Sequence, residues 1–288
     1  MDTLRSLLFV PAGRERMLES AQSARADALV LDLEDAVPLR QKAAARTLAR
    51  RWIPRLASAR RRVFVRVNSI ASGMTRDDLM AVAGKGLAGV VLPKTESPQD
   101  LRDLDVLLRE AEMEHAVRPG DVRTIPLIES ARGVLRCEEI VRASDRLCGL
   151  SVGAEDYTYD IGVERDASGV ALQHIRAVVV QVAVAYGLTP IDTPYADYKD
   201  EAGFIAETRL AKAVGLKGKY AIHPAQVEVI NRIFTPSKDE VERARRIVEA
   251  YEDALSQGLG AVSVDGRMVD APIAERARAI IAAAKRRR

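Results

Sequence analysis

Eight short, near-continuously apolar runs recur along the chain, at residues 6–11, 28–32, 63–68, 89–94, 124–129, 147–152, 190–194 and 220–223. Each ends on or just before polar residues. Runs that are apolar throughout, rather than alternating, are the pattern of parallel strands covered on both faces. Between them lie longer, Ala-rich, charge-striped stretches with helical spacing, for example residues 37–52, 98–116, 130–142 and 170–186. Strands alternating with helices of this length build right-handed βαβ units. Eight such units predict a closed (β/α)8 TIM barrel; a doubly wound open sheet is the alternative.

After the eighth run the pattern changes. Residues 238–257 read as one long amphipathic helix stopped by Gly258 and Gly260, and residues 261–270 alternate like a hairpin around Asp265-Gly266. A last helix spans residues 272–285, with Pro272 at its start. The chain is therefore read as a barrel domain, residues 1–236, and a C-terminal lid or oligomerisation segment, residues 237–288. A barrel closes without such a segment, so it is expected to cover a barrel mouth, its own or a neighbour's.

Composition narrows the class. The 288 residues are 48% hydrophobic and 30% charged, enough for a large core without disulfide or metal staples. Aromatics are only 4%, so the core is built from Ala, Val, Leu and Ile, and base-stacking nucleic-acid modules are disfavoured. With 44 basic against 41 acidic side chains, the net charge of +3 does not argue for a polyanion partner. The basic clusters at residues 60–62 and 285–288 read as solubilising surface. Cys137 and Cys148 match no paired metal spacing and read as buried thiols in a reducing compartment, which points to the cytoplasm. The first residues run into a short apolar segment followed by Pro11 and Gly13, and no signal peptide or membrane span is expected.

Barrel active sites lie at the carboxyl ends of the strands. The residues there are strongly polar: Asp32-Leu33-Glu34-Asp35, Arg66 and Asn68, Lys94, Glu129, Gly153-Ala154-Glu155-Asp156, and His223-Pro224. Charges at the ends of apolar strands are costly unless paired or bound to a metal. Glu129 and Asp156, on neighbouring strand ends without a His or Cys ligand beside them, suit a hard cation such as Mg2+. Arg66 suits a carboxylate of an anionic substrate. The same charges also fit a plain salt-bridge network, and their concentration at one rim favours function. Lys94 can form a Schiff base or pair with an acid, and the metal reading favours pairing. His223 can act as acid or base or fix its loop; His115 and His174 lie in helical patterns and read as surface or packing residues. The loop Pro11-Ala12-Gly13-Arg14 opens a helix where a phosphate can meet backbone N–H groups, although a simple strand-to-helix turn also fits.

The motifs Arg5-Ser-Leu-Leu-Phe-Val-Pro11, Leu31-Asp-Leu-Glu-Asp-Ala-Val-Pro38, Val65-Arg-Val-Asn68 and Val91-Leu-Pro-Lys94 occur in that order. Ile125-Pro-Leu-Ile-Glu-Ser130, Val152-Gly-Ala-Glu-Asp-Tyr157, Gly218-Lys-Tyr-Ala-Ile-His-Pro224 and Gly266-Arg-Met-Val-Asp-Ala-Pro272 follow. Together they resemble the HpcH/HpaI aldolase/citrate lyase family, most of all its citrate lyase β-subunit-like branch. The resemblance implies a (β/α)8 lyase that breaks or makes a carbon–carbon bond in a 3-hydroxyacyl-CoA such as citryl-, malyl- or citramalyl-CoA. It implies Mg2+ ligands at Glu129 and Asp156, Arg66 on the keto-acid half, and Gly153, Ala154 and Glu155 as backbone beside its carboxylate. It further implies a CoA-facing loop at Pro11 and Arg14, where Pro-Ala-Gly departs from the family's usual Pro-Gly-Asn or Pro-Gly-Asp. Asp270 corresponds to an acid/base aspartate that reaches into an adjacent subunit, with a homotrimer or a multiple of it as the assembly. The competing expectations are a CoA-independent pyruvate-type aldolase, a citrate lyase β subunit served by an acyl-carrier protein, and a catalytically silent barrel scaffold.

Overall fold

A computed structural model describes residues 4–58, 61–166 and 168–285. The chain divides into two compact units between Asn231 and Arg232. In the first unit the strands are β1 (Ser6–Pro11), β2 (Ala28–Asp32), β3 (Arg62–Arg66), β4 (Leu87–Leu92), β5 (Arg123–Ile128), β6 (Gly149–Val152), β7 (Thr189–Asp192) and β8 (Gly218–Ala221). They form a closed barrel in sequence order, all parallel, with β8 returning to β1. The helices are α1 (Glu15–Ala21), α2 (Lys42–Leu56), α3 (Thr75–Val82), α4 (Pro98–Glu114), α5 (Ala131–Leu135), α6 (Cys137–Val141), α7 (Ala154–Asp160), α8 (Val170–Ala185), α9 (Glu201–Val214) and α10 (Pro224–Phe234), the last of which continues past Asn231 into the second unit. The expected TIM barrel is therefore the observed one, and the open sheet is excluded by the β1–β8 pairing.

Two local differences have physical causes. The helix expected from residue 37 starts only at Lys42, after a 3-10 turn at Leu39–Gln41, because Pro38 holds an extended ψ of 147° and biases the residue before it away from helix. The stretch 130–142 is two short helices, joined at Arg136 with φ −105° and ψ 10°. Ser130 caps the first by accepting the Gly133 N–H.

Alternate strand residues fill the barrel: Leu7, Ala28, Val30, Phe64, Val91, Ile125, Leu127, Ile191 and Tyr220 pack into one cluster. Gly89 is needed there because a side chain at that position would collide with the Phe64 ring and the Arg123 carbonyl. Few aromatics suffice, as expected from the composition, and both cysteines are buried.

Between barrel and helices lies an ion network. Asp192, ending β7, takes Arg176 of α8 at 2.8 Å and Lys219 of β8 at 2.6 Å, and Lys219 also reaches Glu207 of α9 at 2.8 Å. Arg176, Asp192 and Lys219 are fully buried. Although burial opposes its charge, Lys219 and Arg176 hold the Asp192 carboxyl below the usual carboxylate range.

The second unit contains α11 (Lys238–Ser256), the antiparallel pair β9 (Val262–Val264) and β10 (Arg267–Val269), and α12 (Ala271–Lys285). Ser237 and Glu240 form a reciprocal capping box at the start of α11. Asp265 and Gly266 both have positive φ, 50° and 72°, as a two-residue hairpin turn of this kind requires. Tyr251, Val269 and Ala274 form its core.

Replacing Lys219 with Met leaves Asp192 and Glu207 short of a buried cation. The expected loss is about 3–5 kcal/mol of unfolding free energy, measured by urea denaturation; a loss under about 1 kcal/mol would contradict the buried network.

Candidate active site

Strand register brings the charged residues together. Asp32 and Arg66 are direct partners across β2 and β3, and the Arg66 Nε and Nη2 grip the Asp32 carboxylate at 2.8 and 2.6 Å. Its Nη1 lies 3.0 Å from Glu34, whose other oxygen accepts from Lys94 Nζ at 2.8 Å. The Arg66 guanidinium also sits 4.9 Å from the Phe9 ring centre. Burial opposes charge on Arg66, yet Asp32, Glu34 and Asp35 hold its proton more firmly than usual. For Glu34, burial prevails over Arg66 and Lys94 and raises its pKa.

The loop carrying Glu34 is fastened from below. Lys42 Nζ donates to the Leu33 and Glu34 carbonyls at 2.6 and 2.8 Å and to Asn68 Oδ1 at 2.7 Å. Asn68 Nδ2 in turn donates to Asp78, which also pairs with Arg46 at 2.7 Å. Every polar group of this buried layer thus has a partner, the condition under which such a layer adds rigidity.

On the neighbouring strands, Ile128 pairs with Val152, so the next residues, Glu129 and Gly153, come side by side. A Cβ on Gly153 would overlap the Glu129 side chain, which lies directly against the glycine. Lys94, in the left-handed region at φ 51°, turns its backbone N–H onto Glu129 Oε1 at 2.6 Å. Glu129 is only 4% exposed. Burial first, then the charge of Asp156, pushes its carboxyl up to about 8. Asp156 itself is half-buried in the first turn of α7.

A buried carboxylate that faces the charge of a second one is a donor pair that could take a cation. Among the described residues no group of three or more His, Cys, Asp or Glu side chains is arranged to hold a metal. A cation at this pair would complete its shell with water and ligand oxygens, as Mg2+ commonly does.

The HpcH/HpaI aldolase/citrate lyase family model matches residues 5–224. The chain belongs to the HpcH/HpaI aldolase/citrate lyase family. It is 38% identical to the citrate lyase subunit beta of Escherichia coli K12, over 98% of this chain and 94% of that protein. It is 36% identical to a (3S)-malyl-CoA thioesterase of Cereibacter sphaeroides, over 92% and 89% of the two chains. Among solved structures it superposes on the protein CitE of Mycobacterium tuberculosis, crystallised with magnesium, acetoacetate and coenzyme A, with a TM-score of 0.80. The identity there is 32%, and 98% of each chain is covered.

In this family member the structure draws together Arg66, Glu129, Gly153 and Asp156. The Gly153 N–H donates to the Ile128 carbonyl at 2.9 Å and the Ala154 N–H to Thr193 Oγ1 at 3.1 Å, so these two amides are engaged. The Glu155 side chain turns to Arg165, at 2.7 Å. Pro11 ends β1 in register with Asp32 and accepts the Arg14 N–H, which places the exposed Arg14 on the same rim. Asp270 belongs to the second unit, where its Oδ1 accepts the Ile273 N–H at 3.3 Å and caps α12. His223 fixes its loop, accepting the Ala225 N–H at 3.2 Å and stacking on Tyr198.

Sequence reasoning places Asp32 and Glu34 at the rim but gives them no role. Their tie to Arg66 has no signal beyond their shared place at strand ends, since strand register is invisible in one chain. Lys94 pairs with an acid, as expected.

Replacing Gly153 with Ala forces the Glu129 carboxylate away. The expected outcome is a folded protein destabilised by about 1–3 kcal/mol in thermal unfolding, with Gly153→Ala unchanged in stability counting against the packed arrangement.

Proposed function

We propose that this chain cleaves, or in reverse forms, a 3-hydroxyacyl-CoA such as citryl-, malyl- or citramalyl-CoA, yielding a keto acid and an acyl-CoA in a Mg2+-dependent reaction. Family membership makes it a carbon–carbon lyase. The observation that carries the finer reading is the buried Glu129 carboxylate, pressed on Gly153, beside Asp156 and within the field of Arg66. Binding of magnesium and coenzyme A by the related CitE supports it.

Glu129 and Asp156 are the residues that would hold the ion. When bound, Mg2+ supplies positive charge that favours loss of the substrate hydroxyl proton and orients the keto-acid half. Arg66, its Nε and Nη2 committed to Asp32 and its Nη1 paired with Glu34, would turn its remaining Nη hydrogens to the substrate carboxylate, and Asp32 fixes the angle at which it does so. The backbone at Gly153, Ala154 and Glu155 lines the same half. Pro11 and Arg14 stand where the CoA arm would enter. Once the hydroxyl proton has passed to solvent, the oxygen's electron pair forms the keto acid's carbonyl and the electron pair of the scissile carbon–carbon bond passes to the acyl α-carbon. Asp270 of a neighbouring copy then protonates that carbon, and in the condensing direction it removes the proton. This assigns the C-terminal segment, residues 237–288, a role as lid on an adjacent barrel in a homotrimer or a multiple of it. The buried thiols fit a cytoplasmic setting, and among the described residues no helix is long and apolar enough to cross a membrane.

The full-length match to a citrate lyase β subunit favours one second reading, in which the acyl group arrives on a carrier protein rather than on CoA.

Purified protein assayed with Mg2+ against a panel of hydroxyacyl-CoA thioesters is expected to release a keto acid. Glu129→Gln should lower that activity by about 10²–10³-fold or more while the circular dichroism spectrum is retained. Release of the free hydroxy acid and CoA without any keto acid would overturn the proposal, and turnover only of carrier-bound thioesters would establish the second reading. Mixing Asp270→Asn protein with Glu129→Gln protein should restore activity through hybrid oligomers; failure to do so after subunit exchange would remove Asp270 from an adjacent site.

A further inference from the structure

Arg165 lies between α7 and α8 and is 12% exposed, yet it is not among the residues that line the proposed site. Its Nη1 holds Glu155 at 2.7 Å. Its Nη2 donates to both oxygens of Glu207, at 2.9 and 2.8 Å, and to the Pro194 carbonyl at 2.9 Å, and its guanidinium lies 5.9 Å from the Tyr195 ring centre. Glu207 is in turn held by Lys219, and Lys219 by Asp192 and through it Arg176. Three acids and three bases therefore run in one chain of ion pairs from the fully buried layer behind β7 and β8 to Glu155, whose side chain is 66% exposed.

The exposed end is the informative one. An ion pair between solvated side chains contributes little and orders little, but here one partner is already immobilised by four contacts before Glu155 arrives. Glu155 adjoins Asp156 in the first turn of α7, a turn whose N-cap, Gly153, has no side chain with which to fasten it. Ala154 is tied to Thr193, just after β7. The α7 turn thus takes its position from the β7 side of the barrel through two links, one a backbone N–H and the other Arg165.

We propose that Arg165 is a positioning residue, one that sets the α7 turn so that Asp156 faces Glu129. The proposal rests on the reading of Asp156 and Glu129 as the magnesium carboxylates. Arg165 touches neither substrate nor metal in it; its part is to pass the fixed geometry of the buried ion network to the first turn of α7, which carries the half-buried Asp156. Supports of this kind around a metal site change affinity by about 10–100-fold when removed.

The test is Mg2+ binding to the full-length protein by isothermal titration calorimetry without substrate, joined to the KM for Mg2+ and kcat of lyase turnover. Arg165→Gln is expected to weaken Mg2+ binding about tenfold and to raise the KM for Mg2+ in parallel, with kcat at saturating Mg2+ kept within about twofold. Arg165→Lys, which keeps the charge but not the fork, should recover part of the affinity. Glu155→Gln cuts the chain at its exposed end, where folding is not at stake, and should weaken Mg2+ binding by about threefold; the double variant should be no weaker than Arg165→Gln alone. Unaltered Mg2+ affinity in Glu155→Gln and Arg165→Gln, or a lowered melting temperature with affinity unaltered, would overturn the positioning role. Asp156→Asn separates the two claims: if it leaves Mg2+ binding intact, the metal reading itself fails, whereas if it abolishes binding while Arg165→Gln does not weaken it, only the role of Arg165 falls.

Discussion

The architecture of the site depends on one pairing, that of the Arg66 guanidinium with the Asp32 carboxylate across two adjacent parallel strands. A guanidinium this well buried is tolerable only with a partner of matching geometry, and a parallel ladder supplies one whenever the two residues share a register position. From that pair the remaining charges follow in sequence. Arg66 draws in Glu34, Glu34 draws in Lys94, and the backbone of Lys94 bends through the left-handed region to donate to Glu129. The rim is a relay of alternating charges, with the buried pair as its fixed point.

The other half of the rim is organised by exclusion of volume instead of attraction. Gly153 is a glycine because Glu129 occupies the space of its side chain. This brings an acid into a place where its ionisation is resisted by burial and by Asp156. Such a carboxylate is unfavourable for stability, the usual sign of a functional position in an otherwise consistent fold.

Behind β7 and β8 a separate set of charges serves a different purpose. Arg176, Asp192 and Lys219 are fully out of water and joined by ion pairs, and their continuation through Glu207 and Arg165 ends on the turn of α7. A barrel strand end is thereby stiffened from outside by its helices, while the interior is packed by aliphatic side chains and a few rings. The two polar systems meet at α7, the element on which the position of Asp156 depends.

The chain by itself determined the fold class, because eight apolar runs separated by helical stretches leave few ways to hide both faces of every strand. It also marked the rim, since polar residues directly after apolar strands stand out in any listing, and its ordered motifs identified the family. Register was beyond it. Which strand-end acid meets Arg66, why residue 153 has no side chain, where Glu155 turns, and the existence of the Arg165 chain are all set by contacts between residues far apart in sequence. Those contacts arise from closure of the barrel and from the fit of helices upon it. They were decided by tertiary structure alone because packing and electrostatics act through distance in space, and spacing along a single chain does not encode that distance.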